Sequence, residues 1–382
     1  MSKDVKEIIR EFKDARKDGF IHAKEIKESG GSIVGTYCTY TPKELIYAVG
    51  AYPVSLCAVS EETIPAGEKH LPKNLCPLIK SSYGHALKDS CPYMYFSDLV
   101  VGETTCDGKK KMYELLGEIK DTYVMELPNN QENEYAKVMW KQEILKFRSK
   151  LEDKFRKKID DESLRKAIKD CNEERKILKE FYGLGKLVPP PLTGQEMQTI
   201  LSAVVYSFHR EEQNKKIVQL TELFREIHRN GEERVSPNAP RILITGCPIG
   251  GVADKIINQL EEVGAVVVAY ENCGGAKNLA RLVDETQDPI DALAEKYLSI
   301  PCSVMSPNKG REELLEELIQ EYKVDGVVEI VLQACHTYAV ETRNIKKKVS
   351  SLGVPFMSLE TDYSKSDSGQ IRTRLEAFVE ML

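Results

Sequence analysis

Ten cysteines stand in this chain of 382 residues. Thiolates are soft metal ligands and redox groups, so metal binding or electron chemistry is the first question they raise. Their spacing narrows the answer. Structural zinc sites pair ligands roughly two to four residues apart, and ferredoxins carry their cysteines in one clustered run. Here no two cysteines stand closer than Cys76 and Cys91, or Cys91 and Cys106. A shared centre must therefore draw single cysteines from separate loops. Cys171 lies on the apolar stripe of a helical segment and reads as a small packing side chain, as do Cys57 and Cys91.

The elements that would position the others follow from periodicity and punctuation. In the first half, short strands over 32–37, 52–56 and 98–102 run into Cys38, Cys57 and Cys106, and Cys76 follows a loop with Leu71-Pro72. Between the first two strands, Thr41-Pro42 opens a helix, Thr as N-cap and Pro at the first position. In the second half, strands over 241–245, 265–270 and 326–332 run into Cys247, Cys273 and Cys335, and Cys302 follows Ile300-Pro301. A last strand is expected over 355–359. Alternating strands and helices predict an α/β fold: two Rossmann-like, flavodoxin-like lobes with parallel sheets, ligands lying beyond the strands' carboxyl ends. The two halves share one plan, and the cleft between the lobes is where their cysteines would meet.

Between the lobes the pattern turns helical. Trp140, Ile144, Phe147, Leu151 and Phe155 repeat at helical spacing, as do Leu164, Ile168, Cys171, Leu178 and Phe181. Pro189-Pro190-Pro191 interrupts, and one further helical segment from Gly194 is expected to continue to Ile227. The predicted domains are 1–128 (N-terminal helix and first lobe), 129–238 (helical connection) and 239–382 (second lobe).

The run Gly35-Thr36-Tyr37-Cys38-Thr39-Tyr40-Thr41-Pro42-Lys43-Glu44-Leu45 resembles the opening motif of the 2-hydroxyacyl-CoA dehydratase and benzoyl-CoA reductase superfamily. Leu75-Cys76-Pro77, Thr105-Cys106-Asp107, Gly246-Cys247-Pro248, Gln333-Ala334-Cys335-His336 and Glu360-Thr361-Asp362-Tyr363 extend the resemblance over nearly the whole chain. The cysteine richness is most similar to the double-cubane cluster protein branch. That resemblance implies an [8Fe–9S] iron–sulfur centre, or a single [4Fe–4S] cubane as in the dehydratase subunits, with Cys76, Cys106 and Cys335 on the cubane ligand positions. For a second cubane we expect Cys38, Cys273 and Cys302, with Cys247 in reserve. His336, beside Cys335, is the first candidate proton donor, Glu360 the next, with Asp362 close by.

The resemblance further implies electrons supplied by a separate ATP-hydrolysing iron–sulfur activator, a small-molecule substrate and a homodimer. The chain carries no Gly-x-x-x-x-Gly-Lys-Ser/Thr phosphate loop, and Gly246 to Gly251 lacks the lysine, so the energy source is expected in that partner. The expected activity is therefore an iron–sulfur oxidoreductase component. The alternatives are a 2-hydroxyacyl-CoA dehydratase subunit, or a carrier that only relays electrons or clusters.

Composition bounds the remaining choices. With 60 acidic against 54 basic residues the formal net charge is -6, so no global basic field invites nucleic acid or an anionic membrane. The charged opening and the absence of long apolar runs lead us to expect a cytoplasmic protein, where reduced thiols persist. Lys109-Lys110-Lys111 and Lys346-Lys347-Lys348 read as solvated faces.

Overall fold

Eight short strands and the helices between them make up the structure, a computed structural model that describes residues 3–382. β1 (Ile33–Thr36), β2 (Tyr52–Ser55), β3 (Leu99–Glu103) and β4 (Thr122–Met125) form one parallel sheet in the order β2-β1-β3-β4. β5 (Arg241–Gly246), β6 (Val266–Tyr270), β7 (Gly326–Leu332) and β8 (Phe356–Thr361) form the other in the order β6-β5-β7-β8. The expected α/β architecture is found, and the orders match strand for strand, β1 with β5 through β4 with β8. β3, β5 and β7 are buried along their whole length, which is why they read as continuous apolar runs rather than alternating ones.

Three local differences have physical causes. β4 was not expected: it is a short edge strand, only half-buried over Thr122 to Val124, and so carries a weak apolar signal. The helical segment from Gly194 does not run to Ile227. It divides into Gly194–Ala203, a single tight turn at Val204–Tyr206, and Arg210–Arg229, with Ser207 in an extended conformation; the β-branched pair Val204-Val205 disfavours continuation, and Phe208 is buried instead. Thr41 does not cap its helix (Lys43–Ala48), whose N-cap is Pro42; its hydroxyl donates to the buried Glu103 carboxylate.

The packing crosses between the halves. In one core, Leu71, Cys76, Leu78 and Ile79 of the first half join Cys247, Ile249, Ile330 and Leu332 of the second. In the other, Ile290, Leu293, Ile300 and Cys302 of the second half join Val34, Tyr40, Leu45 and Leu99 of the first, with Trp140 and Phe147 of the middle helices. The second half's arm around Cys302 thus packs in the first half's core, and the first half's segment around Cys76 lies in a core shared by both halves. Each fully buried Leu or Ile there is worth about 1.5–3 kcal/mol, enough to fix both segments. Among the described residues no helix is long and apolar enough to cross a membrane.

Candidate functional site

This packing brings the cysteines together. Cys247 and Cys335 follow β5 and β7, and Cys76 arrives from the first half; the Cys335 thiol lies beside both Cys247 and Cys76. Those neighbours bring the Cys335 thiol down to about 3, while Cys335 pushes Cys76 up and burial, with Cys335, pushes Cys247 up. Backbone N–H groups of Leu78 and Ile79 point at the Cys76 sulfur, and the N–H of Leu332 donates to Cys247 Sγ at 3.3 Å.

Cys38, after β1, Cys273, after β6, and Cys302, on the second half's arm, form a second neighbourhood. Burial raises the Cys38 thiol, Lys109 opposes it, and Glu103, Cys273 and Cys302 raise it further. Burial and then Cys302 push Cys273 up to about 11. Cys106 links the two neighbourhoods, feeling both Cys335 and Cys302. Cys76, Cys106 and Cys335 each stand at the N-cap of a helix, Pro77–Leu87, Asp107–Leu116 and His336–Ser351, where the positive end of the helix dipole favours a thiolate.

Local backbone chemistry explains why these loops hold their shape. Gly246 lies at φ +102°, and Gly250 and Gly251 let the first-half arm approach so closely that a Cβ on Gly251 would stand 2.6 Å from the Val59 carbonyl oxygen. Tyr363 seals the same contact, its hydroxyl donating to the Ala58 carbonyl at 3.4 Å. Ala334, just before Cys335, takes a left-handed φ of 57°, a conformation that costs a non-glycine residue roughly 1 kcal/mol.

All ten cysteines are free thiols, and all six expected ligand positions, with the reserve Cys247, lie in this region. The structure groups them differently from the expected sets. Cys247 sits directly with Cys76 and Cys335, and Cys106 lies between the groups. Strand equivalence pairs Cys247, Cys335 and Cys76 with Cys38, Cys106 and Cys302, and leaves Cys57 and Cys273 as a matched pair at the ends of β2 and β6. Cys57 donates to the Tyr37 carbonyl at 2.9 Å. Cys171 is fully buried in its helix, 3.5 Å from an Arg210 nitrogen. His336 is exposed at the start of its helix, and Glu360 is exposed beside Gln333, Thr361 and Asp362.

Several residues of this edge were not singled out from sequence. Glu103 closes β3 fully buried; its Oε1 accepts from Thr41, its Oε2 has no partner, and burial pushes its carboxyl up to about 7. Tyr37 OH, Thr39 Oγ1, Thr105 Oγ1 and Tyr113 OH are likewise buried without partners. Lys109 departs from the solvated reading: Lys110 and Lys111 are exposed, but Lys109 turns inward, its Nζ donating to the Tyr37 carbonyl at 3.1 Å. The sequence signal for Glu103 was a carboxylate ending an otherwise apolar strand.

Soft thiols from both halves beside orphaned buried hydroxyls and a carboxylate oxygen fit a polar, metal-containing guest, since buried polar groups without partners need an explanation. Among the described residues no three His, Cys, Asp or Glu side chains are arranged to hold a single metal ion.

Two parallel sheets carry cysteines just past their strand ends, and the chain belongs to the family described as 2-hydroxyglutaryl-CoA dehydratase, D-component, which matches residues 38–382. Family members are dehydratase and reductase subunits. The chain is 50% identical, over 99% of both chains, to "Putative dehydratase subunit YjiM" of Escherichia coli (strain K12). It is 26% identical to the (R)-phenyllactyl-CoA dehydratase beta subunit of Clostridium sporogenes, over 94% of both chains. It is 21% identical to a benzoyl-CoA reductase subunit of Thauera aromatica, over 95% of this chain and 94% of that one.

Proposed function

We propose that this chain is the iron–sulfur component of a reductase, with a double-cubane centre in the cleft between its lobes. The observation that carries it is the duplicated placement of cysteines: Cys76, Cys247 and Cys335 as one set, and Cys38, Cys106 and Cys302 as its counterpart on the equivalent strands and arm, with Cys273 beside the second. When bound, such a centre supplies one-electron transfer at low potential. The chain's own residues hold it by thiolates at strand and helix ends, exclude water by burying Cys76, Cys247 and Cys302, and place Glu103 where a buried carboxyl can hold or release a proton. Glu103 thereby replaces the exposed His336 and Glu360 as the favoured proton donor. Electrons would come from a separate ATP-hydrolysing iron–sulfur activator, and the substrate would be a small molecule.

A second reading is favoured by the relatives named as dehydratase subunits: a single [4Fe–4S] cubane in a 2-hydroxyacyl-CoA dehydratase component. Iron and sulfide determination on anaerobically purified protein separates the two. The double-cubane reading expects about eight irons per chain, roughly halved by Cys38→Ser. About four irons, or an undiminished count in Cys38→Ser, overturns it in favour of the single cubane.

A further inference from the structure

The cations of the two lobes are treated unequally. In the second lobe, Lys277 Nζ lies 2.9 Å from Glu271, and Arg311 reaches Glu271 at 3.3 Å and Glu341 at 2.5 Å. These charges are already neutralised. In the first lobe, Lys109 turns into the cleft and, among the described residues, forms no ion pair; the bond that its Nζ makes is to the Tyr37 carbonyl. Its charge acts on Cys38, Cys57 and Cys106 of its own half and reaches Cys273 and Tyr363 of the other. Its charge also acts on Glu103, a buried carboxyl left with one unpartnered oxygen.

A half-buried cation without a counter-ion is less well solvated than one in water, and an anion would complete its site. The facing groups here are thiols, and a thiolate-bound iron–sulfur centre is anionic. We propose that the Lys109 ammonium is the counter-charge of the cluster, a positioning residue that raises its reduction potential and steadies it between the lobes. This rests on the cluster reading given above. One-electron reduction adds one negative charge beside a fixed positive one; the electron comes from an external reductant, and Lys109 neither gives nor takes a proton. Removing the ammonium leaves the oxidised form relatively favoured.

The test compares wild type, Lys109→Met, Lys109→Arg and the exposed control Lys110→Met, each prepared anaerobically as the full chain. Iron and sulfide are counted, and the midpoint potential is read by EPR during titration with titanium(III) citrate, which is oxidised to titanium(IV) as each electron enters the protein. Lys109→Met is expected to lower the equilibrium constant for reduction about tenfold, ~59 mV for one electron, with Lys109→Arg and Lys110→Met close to wild type. Unchanged potential in Lys109→Met at full iron content overturns the proposal, as does a shift in Lys109→Arg equal to that in Lys109→Met. Should Lys109→Met fail to hold iron, retention by Lys109→Arg supports the counter-charge, and loss in both overturns it. A wild-type protein that binds no iron overturns the cluster reading beneath it.

Discussion

Gly246 and Ile330 approach so closely that a Cβ on the glycine would stand 2.2 Å from the Ile330 carbonyl oxygen. The same oxygen accepts from the N–H of Cys247 at 2.8 Å, so this contact positions the cysteine that follows. Gly246 also has φ +102°, a region costly for any side chain. Gly246→Ala is expected to destabilise the protein by about 3 kcal/mol or more, through strain and a forced backbone shift. It is also expected to displace Cys247. Urea unfolding with iron analysis checks both; a wild-type midpoint would show that the backbone here has room.

The ten cysteines are expected to separate into two groups by iron retention. Cys171 contacts the Arg210 side chain and helix neighbours, outside the cleft, and Cys171→Ala should cost about 1 kcal/mol while leaving iron content unchanged. Cys247→Ala removes a thiol beside Cys335 and should lower iron content by about half. Equal iron in the two variants would remove Cys247 from the ligand set.

Much of this arrangement was legible because chemistry and punctuation coincide at strand ends. Continuous apolar runs marked β3, β5 and β7, and a cysteine closed each of six strands, so the edge bearing the site could be read from residue order. The grouping was not legible. Cys76 meets Cys247 and Cys335 because its segment packs in a core shared by both halves, and no local periodicity encodes which core a segment joins. Lys109 was missed for a related reason. Three consecutive lysines look alike in sequence, yet on the Asp107–Leu116 helix they face different directions, and only the first points at the Tyr37 carbonyl.

The second half's arm is also tied in by a buried polar network. Arg175 donates to Glu44 at 2.6 Å, and Tyr297 OH donates to the same carboxylate at 2.8 Å, all three fully buried. Burial opposes ionisation of Glu44, but Arg175 and Lys296 hold its carboxyl below the usual range. Arg175→Met leaves a buried carboxylate without its main partner and should cost about 3–5 kcal/mol at neutral pH. The deficit should narrow toward pH 5, where Glu44 in the variant can take up a proton. A double variant, Glu44→Leu with Arg175→Met, should cost less than the sum of its parts. Denaturant unfolding of the four proteins at two pH values tests this, and strict additivity would show that the pair is not coupled.

Glu261 offers a pH signature away from the cleft. Its Oε1 accepts from the Gly194 N–H at 2.5 Å, fixing the start of the Gly194–Ala203 helix. Burial pushes its carboxyl up to about 7, with Glu196 adding to the rise and the backbone donors opposing it. The folded protein therefore binds a proton more tightly than the unfolded chain between the ordinary carboxyl range and about 7, so stability contributed here is full at low pH and falls as pH rises through that window. Glu261→Gln keeps an acceptor for Gly194 and carries no charge to desolvate. It should match wild type near pH 5 and exceed it by about 1–3 kcal/mol at pH 8. Urea unfolding of both proteins across that range measures the difference. A constant gap at every pH, or a variant less stable at pH 8, would show that Glu261 stays ionised in the folded protein throughout.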